Sequence, residues 1–351
     1  MKLRVWMGLA AFAGLMLVGC TPKEGPSATS STGGSTTPNE KALKVGIVFD
    51  SGGRGDKSFN DSAWAGIERA TSELKIESIP VESKSEKDYE TNLASVADKG
   101  ADIVFAIGIN MRTALEKVAP NYPDTKFAIV DGDLDAPNVR CLLFKEEEGS
   151  FLVGYVAGLM SKTGKLGFVG GMDIPLIKKF EYGFAAGAKM ANPKAEILPA
   201  KYVGSWDNVD NAKTAANLLF GSGADIVYHA AGRAGLGVIR SAEEHKLFAI
   251  GVDSDQDSVA PGFVLTSMIK RVDEAVFSTI QDVINGKFSA EKKVYDLAAN
   301  GVGYSALTHT KEAIGEANIA KVEEIKTKIS SGEIKVPTSS DEYATFVAGL
   351  K

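Results

Sequence analysis

Asp50-Ser51-Gly52-Gly53-Arg54-Gly55-Asp56-Lys57-Ser58-Phe59-Asn60 lies between two patterns of different period. Before it, the apolar run Val45 to Phe49 reads as a short buried strand. After it, Ala63, Ile67, Ala70 and Leu74 recur at helical spacing. Strand, glycine-rich turn and helix in that order leave backbone N–H groups and the positive end of a helix dipole at the carboxyl edge of a sheet, where open α/β folds take ligands. Ser58 followed three residues later by Asp61 has the spacing of a capping box, which would aim Phe59 and Asn60 from the first helical turn toward a cleft. Spacing alone equally fits a capped helix with a core Phe, so the turn is half of a site only if the rest of the chain supplies the other half.

Outward from this turn the same alternation continues. Apolar runs at Ile79–Val81, Ile103–Ile107, Phe127–Val130 and Val139–Phe144 alternate with helical patterns around Asp61–Leu74, Tyr89–Asp98 and Met111–Ala119. The pattern then starts again with a helix from about Glu146 to Lys162, whose three leading Glu residues suit the dipole. Strands at Leu166–Val169, Ile197–Val203, Ile226–His229, Phe248–Val252 and Val264–Ile269 follow, separated by helices around Lys179–Met190, Asn208–Phe220 and Gly237–Glu244. Strands alternating with helices imply parallel sheets with right-handed crossovers. Two rounds of this kind predict an α/β protein of two doubly wound parallel-sheet lobes with a ligand cleft between them. A (β/α)₈ barrel is the alternative that strand counting leaves open.

The amino-terminal segment has a different character. Lys2 and Arg4 precede an apolar run from Val5 to Val18, and Gly19-Cys20 follows. That is the pattern of a signal peptide over residues 1–19, with an apolar stretch short for a transmembrane span. Leu17-Val18-Gly19-Cys20 resembles the bacterial lipobox, which predicts lipidation at Cys20 and anchoring to a membrane outside the cytoplasm. Thr21 to about Leu43 is rich in Ser, Thr, Gly and Pro and reads as a tether, a flexible coil spanning on the order of 25 Å. The rest is long enough for two domains of ordinary size. A net charge of -6 without a dense Lys/Arg cluster argues against a nucleic-acid face. Cys141, left without a partner once Cys20 is lipidated, reads as a small buried hydrophobe.

Catalytic motifs are absent from this sequence. Asp56 interrupts what would be a phosphate loop at Gly55-Asp56-Lys57-Ser58, and the glycines at 232, 235 and 237 do not make the dinucleotide fingerprint. Asp253, Asp255 and Asp257 alternate as in a calcium loop, but Ser258 and Val264 stand where Gly and Glu belong. His229, His245 and His309 form no metal motif, and there is no G-x-S-x-G elbow. Arg54-Gly55-Asp56 matches an adhesion tripeptide, too short to carry weight. What survives is positional: Asp50, Asp131 and Asp253 each follow a predicted strand, where a cleft between two lobes would gather them.

At this point several separated motifs agree with one family. The stretch from Asp50 to Asn60, Glu148-Gly149-Ser150-Phe151-Leu152-Val153-Gly154, Phe180-Glu181-Tyr182-Gly183-Phe184, Gly204-Ser205-Trp206-Asp207, Ala231-Gly232, Gly251-Val252-Asp253, Thr266-Ser267-Met268-Ile269-Lys270-Arg271 and Gly332-Glu333-Ile334-Lys335-Val336-Pro337 resemble the basic membrane protein family of lipoproteins. The resemblance runs from about Lys44 to Pro337 in the family's order. It implies the type I periplasmic binding protein fold, with a first lobe of residues 44–142 plus about 271–290 and a second of 143–270, each completed by part of the C-terminal segment. It also implies no enzymatic activity and no cofactor, but a purine nucleoside (guanosine, inosine or adenosine) delivered by a monomer to an ABC permease complex.

The implied site has Asp50 and Asn60 at the edge of the base, Phe59 and Trp206 stacked on its faces and Asp131 contacting it from the first lobe. Gly232, Asp253 and Lys270 hold the ribose hydroxyls. A flat heterocycle suits an aromatic sandwich, and a diol suits a carboxylate with an ammonium. Three departures from the family pattern stand out: Trp206 for a more usual Phe, Asn208 for a Pro, and Arg233 where a small residue is expected. Arg233 is expected on the solvated rim; pointing inward, it would favour an anionic ligand. The same fold and site would also serve a sensory binding protein or a surface adhesin; a nucleoside hydrolase would need an Asp cluster that is not there.

Overall fold

The computed structural model describes residues 42–350. The signal peptide, Cys20 and nearly all of the tether lie outside the described residues. The described chain opens with β1 (Lys44–Phe49), α1 (Phe59–Leu74), β2 (Glu77–Glu82), α2 (Tyr89–Asp98), β3 (Ile103–Ile107), α3 (Arg112–Val118), β4 (Lys126–Val130) and β5 (Val139–Phe144). The second round is α4 (Glu146–Met160), β6 (Lys165–Gly170), α5 (Pro175–Ala191), β7 (Glu196–Ile197), β8 (Lys201–Tyr202), α6 (Val209–Gly221), β9 (Ile226–Ala230), α7 (Leu236–His245), β10 (Phe248–Asp253) and β11 (Val264–Lys270). It ends with α8 (Val272–Ile284), β12 (Lys292–Tyr295), β13 (Val302–Tyr304), α9 (Lys311–Ile314), α10 (Glu316–Ser330) and α11 (Ser340–Gly349).

The strands form two sheets and no barrel: a six-stranded sheet in the order β12-β5-β4-β3-β1-β2, and a seven-stranded one in the order β13-β11-β10-β9-β6-β7, with β8 also pairing β6. These are two doubly wound lobes. β3 is wholly apolar and buried, β1 is so after Lys44, and β9 is buried throughout with Tyr228 and His229 among its apolar residues, as suits strands covered by helices on both faces. The parallel expectation fails at one edge, where β13 pairs antiparallel to β11. The single strand expected over Ile197–Val203 is two short pieces, because Pro199 between them has no N–H to donate to the ladder.

The chain crosses between sheets after β5, after β11 and after β12. α8, which follows the second sheet in sequence, packs on α1 of the first lobe. The C-terminal α10 and α11 pack on α4 and α5 of the second. Cys141 is buried in β5, its thiol donating to the Leu134 carbonyl at 3.2 Å.

Candidate ligand-binding cleft

The turn after β1 is held by its own carboxylates. Asp50 Oδ1 accepts from the Gly52 N–H at 2.9 Å and from Asn60 Nδ2 at 2.8 Å. The expected Ser58–Asp61 capping box does not form. Asp56 caps α1 instead, accepting from the backbone N–H groups of Ser58, Asn60 and Asp61 at 2.9, 2.8 and 3.1 Å. Asp61 accepts from Gly55 and Lys57. Asp56 wins because it sits before the helix, where a carboxylate meets the free N–H groups and the positive dipole end. It is wholly buried, so the Arg54-Gly55-Asp56 tripeptide is built into the helix start and its carboxylate is not displayed.

Ser58, released from capping, reaches the other lobe: its Oγ donates to Asp253 Oδ2 at 2.5 Å. Asp253 ends β10 in the left-handed region, with φ 64°. Asp131, after β4 in the first lobe, has φ 66° and is likewise met from across the cleft, with Lys270 Nζ 2.7 Å from both its oxygens. Lys270 is 1% exposed and also lies 3.2 Å from Glu146. Its ammonium is 5.3, 4.9 and 5.6 Å from the ring centroids of Phe59, Phe144 and Phe180. Burial pulls the Lys270 pKa down, but Asp131, Glu146 and Asp253 outweigh it and hold it above the ordinary lysine range. The three Glu at the start of α4 therefore do more than complement a dipole. Glu146 is wedged between Lys270 and Lys179, each 3.2 Å away, and Glu148 accepts from the Leu297 N–H at 2.9 Å.

Asp50, Phe59, Asn60, Asp131, Trp206, Gly232, Asp253 and Lys270 all line one interlobe cavity. Burial raises the carboxyls of Asp50 and Asp131 to about 6, against the pull of Asn60 and Lys270 respectively, and raises Asp253 to about 7. The Asn60 Oδ1 atom is buried without a protein partner. The cavity also takes in residues sequence reasoning did not assign to it: Asp56, Gly108, Leu176, Phe180 and Arg233 among them. Phe180 stood in a family motif, but nothing in its spacing distinguished a cavity wall from a core helix face.

The departures from the family pattern resolve in different ways. Asn208 caps α6, its Oδ1 accepting from the Asn211 N–H at 3.0 Å. Trp206 lies in the cavity wall against Gly171. Arg233 is half-buried where it lines the cavity. Its Nε donates to the Gly52 carbonyl at 2.8 Å and its Nη2 to the Arg54 carbonyl at 2.7 Å, both in the first lobe.

The histidine and carboxylate motifs weighed for metals are accounted for by packing. His229 is buried with Nε2 3.0 Å from Gln256 Oε1, and burial lowers its pKa to about 4, so it is neutral. Asp257 accepts from Ser267 and Ser305. Among the described residues no group of His, Cys, Asp and Glu is arranged to hold a metal, and no helix is long and apolar enough to cross a membrane.

Residues 43–340 match the family model of ABC transporter substrate-binding proteins described as PnrA-like. Basic membrane protein A of Borreliella burgdorferi is 34% identical over 312 residues, covering 87% of this chain and 90% of the relative. The ABC transporter nucleoside-binding protein BmpA of Lactococcus lactis is 35% identical over 322 residues, covering 84% of this chain and 89% of the relative. A crystal structure of an ABC transporter solute-binding protein from Aeropyrum pernix superposes with a TM-score of 0.78 at 31% identity, covering 88% of this chain and 97% of that one. The two-lobed fold with its interlobe cleft is thus that of a solute-binding protein, not of an enzyme, and the chain belongs to the Bmp family of ABC transporter substrate-binding proteins.

Proposed function

We propose that the solute is a purine nucleoside, captured outside the cytoplasm by a monomer anchored to the membrane through lipidated Cys20 and delivered to an ABC permease. The observation that carries the reading is the composition of the cavity: two aromatic walls, Phe59 from the first lobe and Trp206 from the second, with hydrogen-bonding acceptors at Asp50 and Asn60, a carboxylate at Asp253 and an ammonium at Lys270. The aromatic faces suit a flat base. Asp50 and the free Asn60 Oδ1 take its N–H groups, while Asp253, Lys270 and the Gly232 backbone take the ribose hydroxyls. Asp131 contacts the base while fixing Lys270, since a carboxylate has acceptor sites left after two hydrogen bonds. The name of the Lactococcus lactis relative adds support.

Titration calorimetry of ligand-stripped protein with guanosine, inosine and adenosine tests the reading. Micromolar or tighter binding of at least one is expected, and no heat from any of them refutes the ligand class. Asp253→Ala is expected to weaken nucleoside by about tenfold or more, the value of a hydrogen bond to a charged group, and free base far less. Equal losses would remove Asp253 from the ribose. Cys20→Ser is expected to release the protein from the membrane fraction.

A further inference from the structure

Lys270 and Ser58 cross the cleft to side chains of the cavity wall. Arg233 crosses to main-chain oxygens, as Gln256 Nε2 and Ser254 Oγ do to the carbonyls of Lys57 and Ser58 at 3.0 Å each, but it is charged and reaches two carbonyls at once, those of Gly52 and Arg54. A guanidinium carries its donors in a fixed planar fork and can serve two carbonyls at once, which a single ammonium does less well. The turn it grips is stiff. Arg54 pairs with Glu82 at 2.6 Å and lies 4.8 Å from the ring centroid of Trp64, while the buried Asp56 ties the same turn to the start of α1.

On its own lobe, Arg233 stands on the short 3-10 turn Gly232–Gly235, and the N–H of the next residue, Ala234, donates to the Trp206 carbonyl at 2.9 Å. One turn thus fastens the aromatic wall and reaches across the cleft. Two of the N–H groups of Arg233 are engaged by carbonyl oxygens, so its position is accounted for without an anionic ligand.

We infer that Arg233 is the closure latch of the cleft, a positioning residue that binds the Gly232–Gly235 turn of the second lobe to the Gly52 and Arg54 carbonyls of the first and so governs how long a solute is retained. These bonds form only when the lobes are together. They stabilise the closed state, leave the open state as it was, and act on release more than on entry. The inference holds for whichever solute fills the cleft.

Stopped-flow tryptophan fluorescence with guanosine as the probe measures entry and release for the parent protein, Arg233→Lys and Arg233→Met. Release about tenfold faster in Arg233→Met is expected, with a smaller increase in Arg233→Lys and entry within about twofold of the parent in both. Equal release rates, or a loss carried by entry, overturn the latch. Guanosine failing to bind the parent would refute the nucleoside reading instead, and the latch is then measured without it. Spin labels at Glu116→Cys on α3 and Leu218→Cys on α6, both exposed, report the distance between lobes. A distribution shifted to longer distances by Arg233→Met is the expected result, and superimposable distributions overturn it.

Discussion

Asp131 and Asp253 occupy matching places in the two lobes. Each follows or ends a strand at its carboxyl edge, each has a backbone in the left-handed region, and each is met by a donor from the opposite lobe. The donors differ in charge. Asp131 receives the ammonium of Lys270 on both oxygens, and Asp253 receives the hydroxyl of Ser58 on one. Burial raises both carboxyls, Asp131 to about 6 and Asp253 to about 7. A non-glycine residue held at positive φ costs free energy that surrounding contacts must offset, and such positions cluster at ligand sites. One backbone geometry has therefore been used to aim two carboxylates into one cavity. Lys270 pulls against burial at both, in direct contact with Asp131 and without a salt bridge to Asp253, where Ser58 adds a hydrogen bond.

Removing Lys270 breaks this comparison at its charged end. Lys270→Met leaves Asp131 and Glu146 buried without their shared cation, and loss of one partner from a buried pair costs about 3–5 kcal/mol. Urea unfolding monitored by circular dichroism is expected to show that loss; an unchanged midpoint would mean that the carboxyls simply take up protons. Asp131→Asn should come next, at about 2 kcal/mol, because Lys270 keeps Glu146. Asp253→Asn should cost about 1 kcal/mol or less, since an amide oxygen still accepts from Ser58. Equal costs for the two variants would mean that charge does not distinguish the two ends.

The pH dependence sharpens the same contrast. An Asp whose pKa rises from 3.8 unfolded to about 7 folded binds more protons in the native state between those values. Stability contributed by Asp253 is therefore greatest at low pH, falls as pH rises from about 4 through about 7, and is level above that. Asp253→Asn is expected to flatten this slope in unfolding measurements between pH 5 and 8, whereas Asp131→Asn leaves the upper part of it in place. A slope unchanged by Asp253→Asn would assign the titration elsewhere, to Glu147 for instance, which burial also raises to about 7.

Much of this was legible in the sequence because it is local. The switch of hydrophobic period on either side of Asp50–Asn60 marks strand, turn and helix, and an Asp directly after an apolar run marks a strand's carboxyl end. What required coordinates is what crosses the cleft. Asp131 and Lys270 are 139 positions apart and Ser58 and Asp253 are 195 apart, so no spacing rule couples them. Ser58 has the spacing of a cap, and only the buried Asp56 two residues earlier frees it. Arg233 could be seen as an oddity but not placed, since its acceptors are backbone atoms that any residue would supply.

The smallest expected effects lie at two glycines that flank the aromatic walls, one in each lobe. Gly108 follows β3 with φ 114°, and a Cβ there would sit at ordinary contact distance, 3.4 Å from Asp50 and 3.6 Å from Phe59. Gly108→Ala should therefore cost about 1 kcal/mol of stability through the backbone while leaving the Phe59 ring where it is. Gly171 has no positive φ, but a Cβ there would fall 2.4 Å from the Trp206 ring, which must move aside. Gly171→Ala should cost less stability and instead weaken nucleoside binding several-fold, with a changed Trp emission. Since the Trp206 backbone is pinned by Ala234, the ring can yield only by rotating away from its place in the wall. If both alanine variants lose stability and neither loses affinity, the two rings do not grip the solute, and the aromatic half of the proposed site falls.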